Sequence, residues 1–182
     1  MGISALTPVG IKARECVHVF GQDRSKFVMM DARSQDHAAI ADLHRQSFPR
    51  GWSESEISAL ALQPAVTIII ARTVGEPEGP VLGFNIVRHT QDEAEILSIA
   101  VDPKGRGRGL GEALMREAIL RLRADRVEKL LLEVDGNNAP AVSLYNRLGF
   151  VTVGNRPGYY KPSEDDEVVE RSTALVMRLD LV

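Results

Sequence analysis

Residues 101–111 read VDPKGRGRGLG, and this stretch does more than any other to decide the fold. The segment before it, residues 93–101, ends in an apolar run typical of a strand, which Asp102 and Pro103 terminate. The segment after it, residues 110–123, carries apolar side chains at helical spacing and predicts an amphipathic helix. A strand, a glycine loop and a helix therefore follow one another, an arrangement that places ligands at the carboxyl end of a strand.

The glycine loop has the chemistry of a diphosphate site. A helix N-terminus exposes unpaired N–H groups and about half a positive charge, and glycines let an anion approach the backbone closely. Arg106 and Arg108 add charge-assisted hydrogen bonds. The Gly-Lys-Ser/Thr ending of a P-loop is absent, and Leu110 or Glu112 stands where a dinucleotide fingerprint needs its third glycine or alanine. The alternative is a glycine-rich surface turn with solvated arginines.

The pattern on both sides of the loop predicts an α/β protein in which a mixed sheet carries helices on both faces. We expect strands at residues 26–31, 66–72, 81–88, 93–101, 129–134, 151–154 and 174–179. We expect helices at residues 36–48, from the capping box at Ser53 and Glu56, at 110–123 and from Asn138 to about 148. The strand at residues 129–134 is nearly all apolar, which predicts cover on both of its faces.

Length and composition are those of one ordinary globular domain. The chain has 182 residues, 44% hydrophobic and 26% charged, and a net charge of −3, which gives no general attraction to nucleic acid or to anionic membranes. A single cysteine, Cys16, suits a reducing compartment, and no apolar run is long enough for a membrane span or a signal peptide. We therefore expect a cytoplasmic protein, with residues 1–26 as an N-terminal extension and residues 27–182 as the domain.

Glu133 is the first candidate for catalysis. It lies in the otherwise apolar run Leu-Leu-Glu-Val at residues 131–134, where an unpaired ionised side chain is costly to bury. Such a carboxylate is suited to act as a general base. The alternative is that Glu133 lies near the end of its strand and reaches water or an arginine.

Asn138 and Tyr145 stand two helical turns apart and are predicted to share one face of the helix that follows. A tyrosine hydroxyl near a leaving thiolate can donate a proton. Each residue also has a structural interpretation, since asparagine is a common helix cap and tyrosine often packs between helix and sheet. The two interpretations remain open for both residues.

Taken together, the loop and the downstream motif resemble the GNAT acetyltransferase family. The loop resembles that family's acetyl-CoA loop, with Arg-x-x-Gly-x-Gly after Ile-Ala-Val-Asp-Pro. Residues 133–150, with Glu133, Asn138, Tyr145 and Gly149-Phe150, resemble its second motif. The likeness extends from about residue 26 to the C-terminus. It implies a mostly antiparallel mixed sheet in which a splayed parallel strand pair holds the cofactor.

The resemblance also implies a role for each motif residue. Glu133 would be the base and Tyr145 the acid, and the cosubstrate would be acetyl-CoA. The implied cofactor-binding residues are Ile99, Ala100 and Val101 for the pantetheine arm, Arg106, Gly107, Arg108, Gly109, Leu110, Gly111 and Glu112 for the pyrophosphate, and Asn138 for the arm.

Within the family, the chain is most similar to the bacterial branch that acetylates the N-terminal alanine of a ribosomal protein. The residues that support this are Phe48-Pro49, Trp52-Ser53, the Leu-Glu-Val run and Gly158-Tyr159-Tyr160. The implied acceptor is a protein N-terminus, such as that of a small-subunit ribosomal protein. Trp52, Tyr159 and Tyr160 would contact it, although all three also fit plain packing roles. The alternatives are a small-molecule amine as acceptor, or a non-catalytic acyl-CoA-binding regulator.

The histidines do not indicate a metal site. His18, His37, His44 and His89 share no spacing typical of metal ligands, and no acid or cysteine completes a set with them. We therefore expect no metal.

Overall fold

The computed structural model describes residues 19–20, 27–156 and 173–182, which form one twisted sheet with helices on both faces. The eight strands within these residues are β1 (Val19–Phe20), β2 (Phe27–Asp31), β3 (Val66–Thr73), β4 (Gly83–His89), β5 (Glu93–Val101), β6 (Lys129–Asp135), β7 (Val151–Arg156) and β8 (Ala174–Asp180). Every strand predicted from the sequence is present, with ends that shift by one or two residues.

Four α-helices join these strands: α1 (His37–Ser47), α2 (Glu54–Ala61), α3 (Leu110–Ala124) and α4 (Ala139–Arg147). Ser53 caps α2 as predicted, because its side chain accepts from the Glu56 N–H and the Glu56 side chain accepts from the Ser53 N–H. At the other end of the chain, Gly149 follows α4 with φ of +94°, the left-handed conformation in which a glycine ends a helix.

The sheet order is β1-β2-β3-β4-β5-β6-β8-β7. All neighbouring strands are antiparallel except β5 and β6, which are parallel and joined by the α3 crossover. The last strand, β8, lies between β6 and β7. The expectation of a mostly antiparallel sheet with one parallel pair is confirmed.

Two hydrophobic clusters cover opposite faces of the sheet. The larger cluster joins α3 and α4 to the sheet and includes Leu114, Leu132 and Tyr145. The smaller cluster joins α1 and α2 to the sheet through β3, β4 and β5, and includes Ile57 and Phe84. We call these two sides the α3/α4 face and the α1/α2 face.

The prediction that β6 is covered on both faces is wrong. Its burial alternates, with Leu130, Leu132 and Val134 buried and the residues between them half-buried. The reason is that the buried members of the α1/α2 cluster come from β3 to β5 and from the two helices, not from β6. The described residues therefore leave the α1/α2 face of β6 only partly covered around Glu133.

Most of the predicted N-terminal extension falls outside the described residues, apart from β1, which pairs antiparallel with β2 at the edge of the sheet. The boundary at residue 26 stays a prediction. Among the helices described, none is long and apolar enough to cross a membrane.

Candidate acetyl-transfer site

The site is built around a gap between β5 and β6. These strands pair in register only from Glu93 with Lys129 to Ile96 with Leu132. Beyond that point β5 runs on to Val101 beside β4, and β6 runs on to Asp135 beside β8. The two parallel strands therefore diverge towards their carboxyl ends, which is where an α/β sheet places its ligands. A splayed parallel pair was expected, and the structure contains one.

A β-bulge in β5 sets the side-chain directions along this gap. Ser98 lies opposite Ile86 and Ile96 lies opposite Val87, so that Leu97 is an extra residue in β5. A bulge of this kind changes which face the following side chains point to. As a result, the side chains of Ile96, Ile99 and Val101 pack towards the α3/α4 face. The side chain of Ala100 packs towards the α1/α2 face.

The glycine loop follows directly from the end of β5. Asp102 caps a single turn of 3-10 helix at Pro103–Gly105 by accepting from the Lys104 N–H at 2.7 Å. Gly107 and Gly109 then adopt φ values of +74° and +79°, which side chains with a Cβ rarely take up. A Cβ on either residue would meet nothing within 4 Å, so both backbones face open space. An incoming ligand can approach the main chain here.

The N-terminus of α3 lies immediately after the loop. Gly109 is its N-cap and has no side chain to satisfy the first amides, and the first intrahelical bond is from the Ala113 N–H to the Gly109 carbonyl at 3.0 Å. The amides of residues 110–112 therefore have no acceptor within the helix. Glu112, the one acid in this turn, forms an ion pair with Arg116 at 2.8 Å. The turn thus has the geometry of an anion site with its nearby carboxylate already paired.

The two loop arginines are exposed, and they differ in how they are held. Arg106 folds back so that its Nε donates to the Val101 carbonyl at 3.2 Å, which fixes it against the end of β5. Arg108 lies in the exposed part of the loop between the two left-handed glycines. The loop therefore carries two exposed cations, one of them held against the end of β5.

Glu133 is the first β6 residue after the pairing with β5 ends. Its neighbours Leu132 and Val134 are buried in the α3/α4 cluster, so its side chain points to the opposite, α1/α2 face. The side chain is 25% exposed, and Oε1 lies 3.1 Å from Nη2 of Arg156. The contact with an arginine that was raised as the alternative is therefore present, and Glu133 also lies on the strand that borders the gap.

Asn138 and Tyr145 lie on α4. The Oδ1 of Asn138 accepts from the Ala141 N–H at 3.3 Å, so Asn138 caps the helix. Tyr145 is 6% exposed and its ring packs 5.7 Å from the ring of Phe150. Burial raises the pKa of Tyr145 to about 12, so the phenol keeps its proton at neutral pH. The structural interpretation therefore holds for both residues, and Tyr145 additionally has the protonation state that a general acid needs.

The acid and base candidates belong to opposite sides of the sheet. Tyr145 is part of the α3/α4 cluster, whereas Glu133 points to the α1/α2 face. A reaction that used both side chains would have to take place at the gap between β5 and β6, where the two faces of the sheet meet.

Trp52 packs against α1. Its backbone N–H donates to Nδ1 of His44 at 3.0 Å, and the two rings stack with centroids 4.5 Å apart. Phe48 and Phe84 complete the aromatic surroundings of the His44 ring. The packing interpretation of Trp52 is thus seen directly, while Tyr159 and Tyr160 lie outside the described residues.

This packing predicts a pH-dependent change that Trp52, the one tryptophan of the chain, can report. Burial lowers the pKa of His44 below its ordinary value of about 6.5, and Glu56 opposes this effect only in part. Because the folded pKa is depressed, the unfolded chain binds more protons just below pH 6.5, and stability is lost as the pH falls from there. We expect the Trp52 emission to change with a midpoint below 6.5.

The measurement is a fluorescence titration of the native protein, with denaturant unfolding at pH 7 and pH 5. His44→Gln should abolish the transition, and His37→Gln, which changes a second buried histidine of α1, should retain it. A midpoint at 6.5 or above would contradict the role of burial.

Two residues of the site escaped the sequence interpretation. Ser98 is buried beside the gap, and its hydroxyl has no hydrogen-bond partner among the residues described. Its only signal is that it is a polar residue within an apolar run. Arg156 carries no local signal, because its contact with Glu133 depends on the order β6-β8-β7.

The described residues contain no candidate metal cluster, and a surface depression lies away from the predicted site. Over residues 27–156 and 173–182, no three His, Cys, Asp or Glu side chains are grouped so that they could hold a metal ion. A surface depression of about 550 Å³ follows the exposed side of α4 and contains none of the predicted site residues.

Comparison with known proteins agrees with this geometry. Residues 37–150 match the acetyltransferase (GNAT) family model. The Escherichia coli ribosomal protein bS18-alanine N-acetyltransferase is 39% identical over 103 residues, which are 57% of this chain and 66% of that protein. The crystal structure of the Escherichia coli enzyme superposes with a TM-score of 0.74 at 29% identity, covering 85% of this chain and 94% of that one. A mycothiol acetyltransferase from Saccharomonospora viridis is 30% identical over 156 residues, 80% of this chain and 47% of that protein.

Proposed function

The chain belongs to the acetyltransferase (GNAT) family, and from its site we propose that it transfers an acetyl group from acetyl-CoA to the N-terminal α-amine of a protein. The observation that supports this most is the gap itself, with the Glu133 carboxylate on the strand that borders it and the exposed amides of α3 following the end of β5. Tyr145, on the opposite face of the sheet, adds a phenol that keeps its proton at neutral pH. By the likeness to the bS18-alanine enzyme, the expected acceptor is the N-terminal alanine of a ribosomal protein.

The residues at the gap fit acetyl-CoA, which supplies an acyl group activated as a thioester. The open main chain at Gly107 and Gly109 and the first amides of α3 fit a pyrophosphate, with Arg106 and Arg108 as counter-charges. The edge of β5 at residues 99–101, no longer paired with β6, fits the amide groups of a pantetheine arm. Asn138 would contact the arm from the cap of α4.

Glu133 would take the proton of the acceptor. At neutral pH an amine arrives largely as ammonium, which has no lone pair for attack. A protein N-terminus has an ordinary pKa of about 7.7–8.0, whereas a lysine side chain has one of about 10.4. Deprotonation at pH 7 therefore costs about 1.0–1.4 kcal/mol for the former and about 4.6 kcal/mol for the latter. This difference favours the α-amine as the acceptor.

Tyr145 would donate a proton to the leaving sulfur. We expect Tyr145→Phe to lower kcat about tenfold to thirtyfold, with KM for both substrates nearly unchanged. This loss should be smaller than that caused by removing the base, because a thiol with an ordinary pKa of about 8.5 leaves readily as a thiolate without a proton donor. Steady-state kinetics measures the effect, and urea unfolding checks that the ring still packs on Phe150. A kcat equal to that of the wild-type protein would show that Tyr145 does not act as the acid.

A second candidate is transfer to a small-molecule amine. The mycothiol acetyltransferase relative favours it, since that enzyme shares 30% identity across most of this chain. A panel decides between the two: a peptide with the N-terminal sequence of the ribosomal protein, the same peptide blocked at its N-terminus, and a series of amino sugars, polyamines and amino acids. We expect kcat/KM to be highest for the free peptide. A small amine that exceeds it by tenfold or more would reverse the assignment, and no transfer to any acceptor would favour a non-catalytic acyl-CoA binder.

The proposed reaction also suggests a place of action. Acetyl-CoA and nascent ribosomal proteins meet in the bacterial cytoplasm, so we propose a cytoplasmic enzyme. Fractionation of cells that express the native chain tests this.

A further inference from the structure

We propose that Arg156 determines acceptor specificity, and that with Glu133 it forms a charge pair that recognises an α-ammonium together with its neighbouring carbonyl oxygen. The inference rests on the proposed function, because it takes Glu133 as the group that meets the amine. It concerns the acceptor alone and is independent of how acetyl-CoA is held.

The geometry of the sheet brings the two residues together. Glu133 pairs with Val176 of β8, and Arg156 pairs with Ala174 of the same strand. Because Val176 and Ala174 are two residues apart, they share a face, and so do their partners on β6 and β7. The ion pair of 3.1 Å therefore crosses over β8 on the α1/α2 face.

Arg156 contacts the Glu133 carboxylate from the β7 side, whereas β5 and the gap border β6 on its other side. An acceptor that reaches the gap must therefore compete with Arg156 for the carboxylate. The arrangement makes Arg156 part of the acceptor's surroundings.

The exposure of the pair allows this competition. The Arg156 side chain is 61% exposed and that of Glu133 is 25% exposed. An ion pair in such contact with water is weak, so a ligand can separate its two members at small cost. Once separated, the carboxylate can accept from an ammonium, and the guanidinium can donate to an oxygen.

A peptide N-terminus matches this pair of charges. Its ammonium and its first carbonyl oxygen are attached through the same Cα, so that the donor and the acceptor lie side by side. Glu133 would bind the ammonium, and Arg156 would form a charge-assisted hydrogen bond with the carbonyl. A lysine side chain, a polyamine or a simple alkylamine has no such oxygen and would leave Arg156 without a new partner. The pair therefore favours α-amines of peptides.

The test compares two acceptors in three variants. Wild type, Arg156→Gln and Arg156→Lys are assayed with an alanine-initiated peptide and with n-butylamine, an amine that lacks a carbonyl. For Arg156→Gln we expect KM for the peptide to rise about tenfold with kcat nearly unchanged, and kcat/KM for butylamine to stay within about twofold. Arg156→Lys should lie between, since it keeps the charge and loses the planar fork.

Arg178→Gln is the matched control, because it removes an arginine of β8 that pairs with Asp180 instead. It should leave the ratio between the two acceptors unchanged. Where butylamine turns over too slowly, its inhibition constant against the peptide takes the place of kcat/KM.

An equal loss for both acceptors, or none for either, would overturn the role of Arg156. The proposed function fails in a different way, if Glu133→Gln keeps wild-type turnover or the wild-type protein acetylates neither amine. A Glu133→Gln variant without activity, together with an Arg156→Gln variant of unchanged selectivity, would refute the specificity role alone.

Discussion

Glu133→Gln is expected to lower kcat by about 10²–10⁴-fold, while the dissociation constant of acetyl-CoA stays within about twofold of wild type. The amide has nearly the shape of the carboxylate, and it cannot take a proton from an ammonium. The cofactor contacts proposed for the glycine loop and β5 do not involve this side chain. Steady-state kinetics with a saturating peptide, together with calorimetric binding of coenzyme A, separates the two effects.

Glu95→Gln provides a matched control. Glu95 lies on the neighbouring strand β5, is 43% exposed and pairs with Arg88 at 2.7 Å, so it resembles Glu133 in partner and in partial exposure. It lies before the divergence of β5 and β6, where the strands are still paired. Its kcat should stay within about twofold of wild type. Equal losses in both variants would point to a general effect of charge and not to a base at Glu133.

Gly109→Val is expected to weaken binding of coenzyme A by about 100-fold. Gly109 has φ of +79°, and a β-branched residue in this left-handed conformation costs on the order of 1–2 kcal/mol. The new side chain would also project into the open space beside the first amides of α3, where the pyrophosphate is proposed to lie. Calorimetric titration with coenzyme A measures the change.

Gly75→Val separates strain from ligand contact. Gly75 has φ of +87° in the turn between β3 and β4, and a Cβ there also meets nothing within 4 Å. The two variants should lose similar amounts of unfolding free energy, and only Gly109→Val should lose coenzyme A affinity. If Gly75→Val weakens binding as much, the loss reports lower stability and gives no support to an anion site on the loop.

The sequence predicted those parts of the structure whose signals are local. The glycine loop, the strand before it and the helix after it lie within residues 93–124, where periodicity and backbone chemistry act over a few positions. The capping box of Ser53 and the C-terminal glycine at Gly149 are equally local. The positions of Glu133 and Tyr145 on strand and helix followed from the same signals.

What the sequence did not predict depends on long-range packing. The insertion of β8 between β6 and β7 brings Arg156 to Glu133, and no spacing along the chain indicates it. A buried ion pair between Asp36 and Arg72, 2.7 Å long, joins the turn before α1 to β3, and no sequence pattern indicates it either. The prediction that β6 is covered on both faces was wrong for a related reason, since apolar composition does not reveal which helices reach a strand.

The proposed function is tested most directly by determining which of two amines in a single acceptor receives the acetyl group. A synthetic peptide that begins with the ribosomal protein's N-terminal alanine and also contains a lysine is incubated with the native chain and acetyl-CoA. Tandem mass spectrometry then locates the modification. We predict one acetyl group on the α-amine of the alanine, formed at an initial rate that Glu133→Gln lowers by about 10²–10⁴-fold. Acetylation of the lysine instead, or an equal rate with Glu133→Gln, would contradict both the proposed acceptor and the role of Glu133.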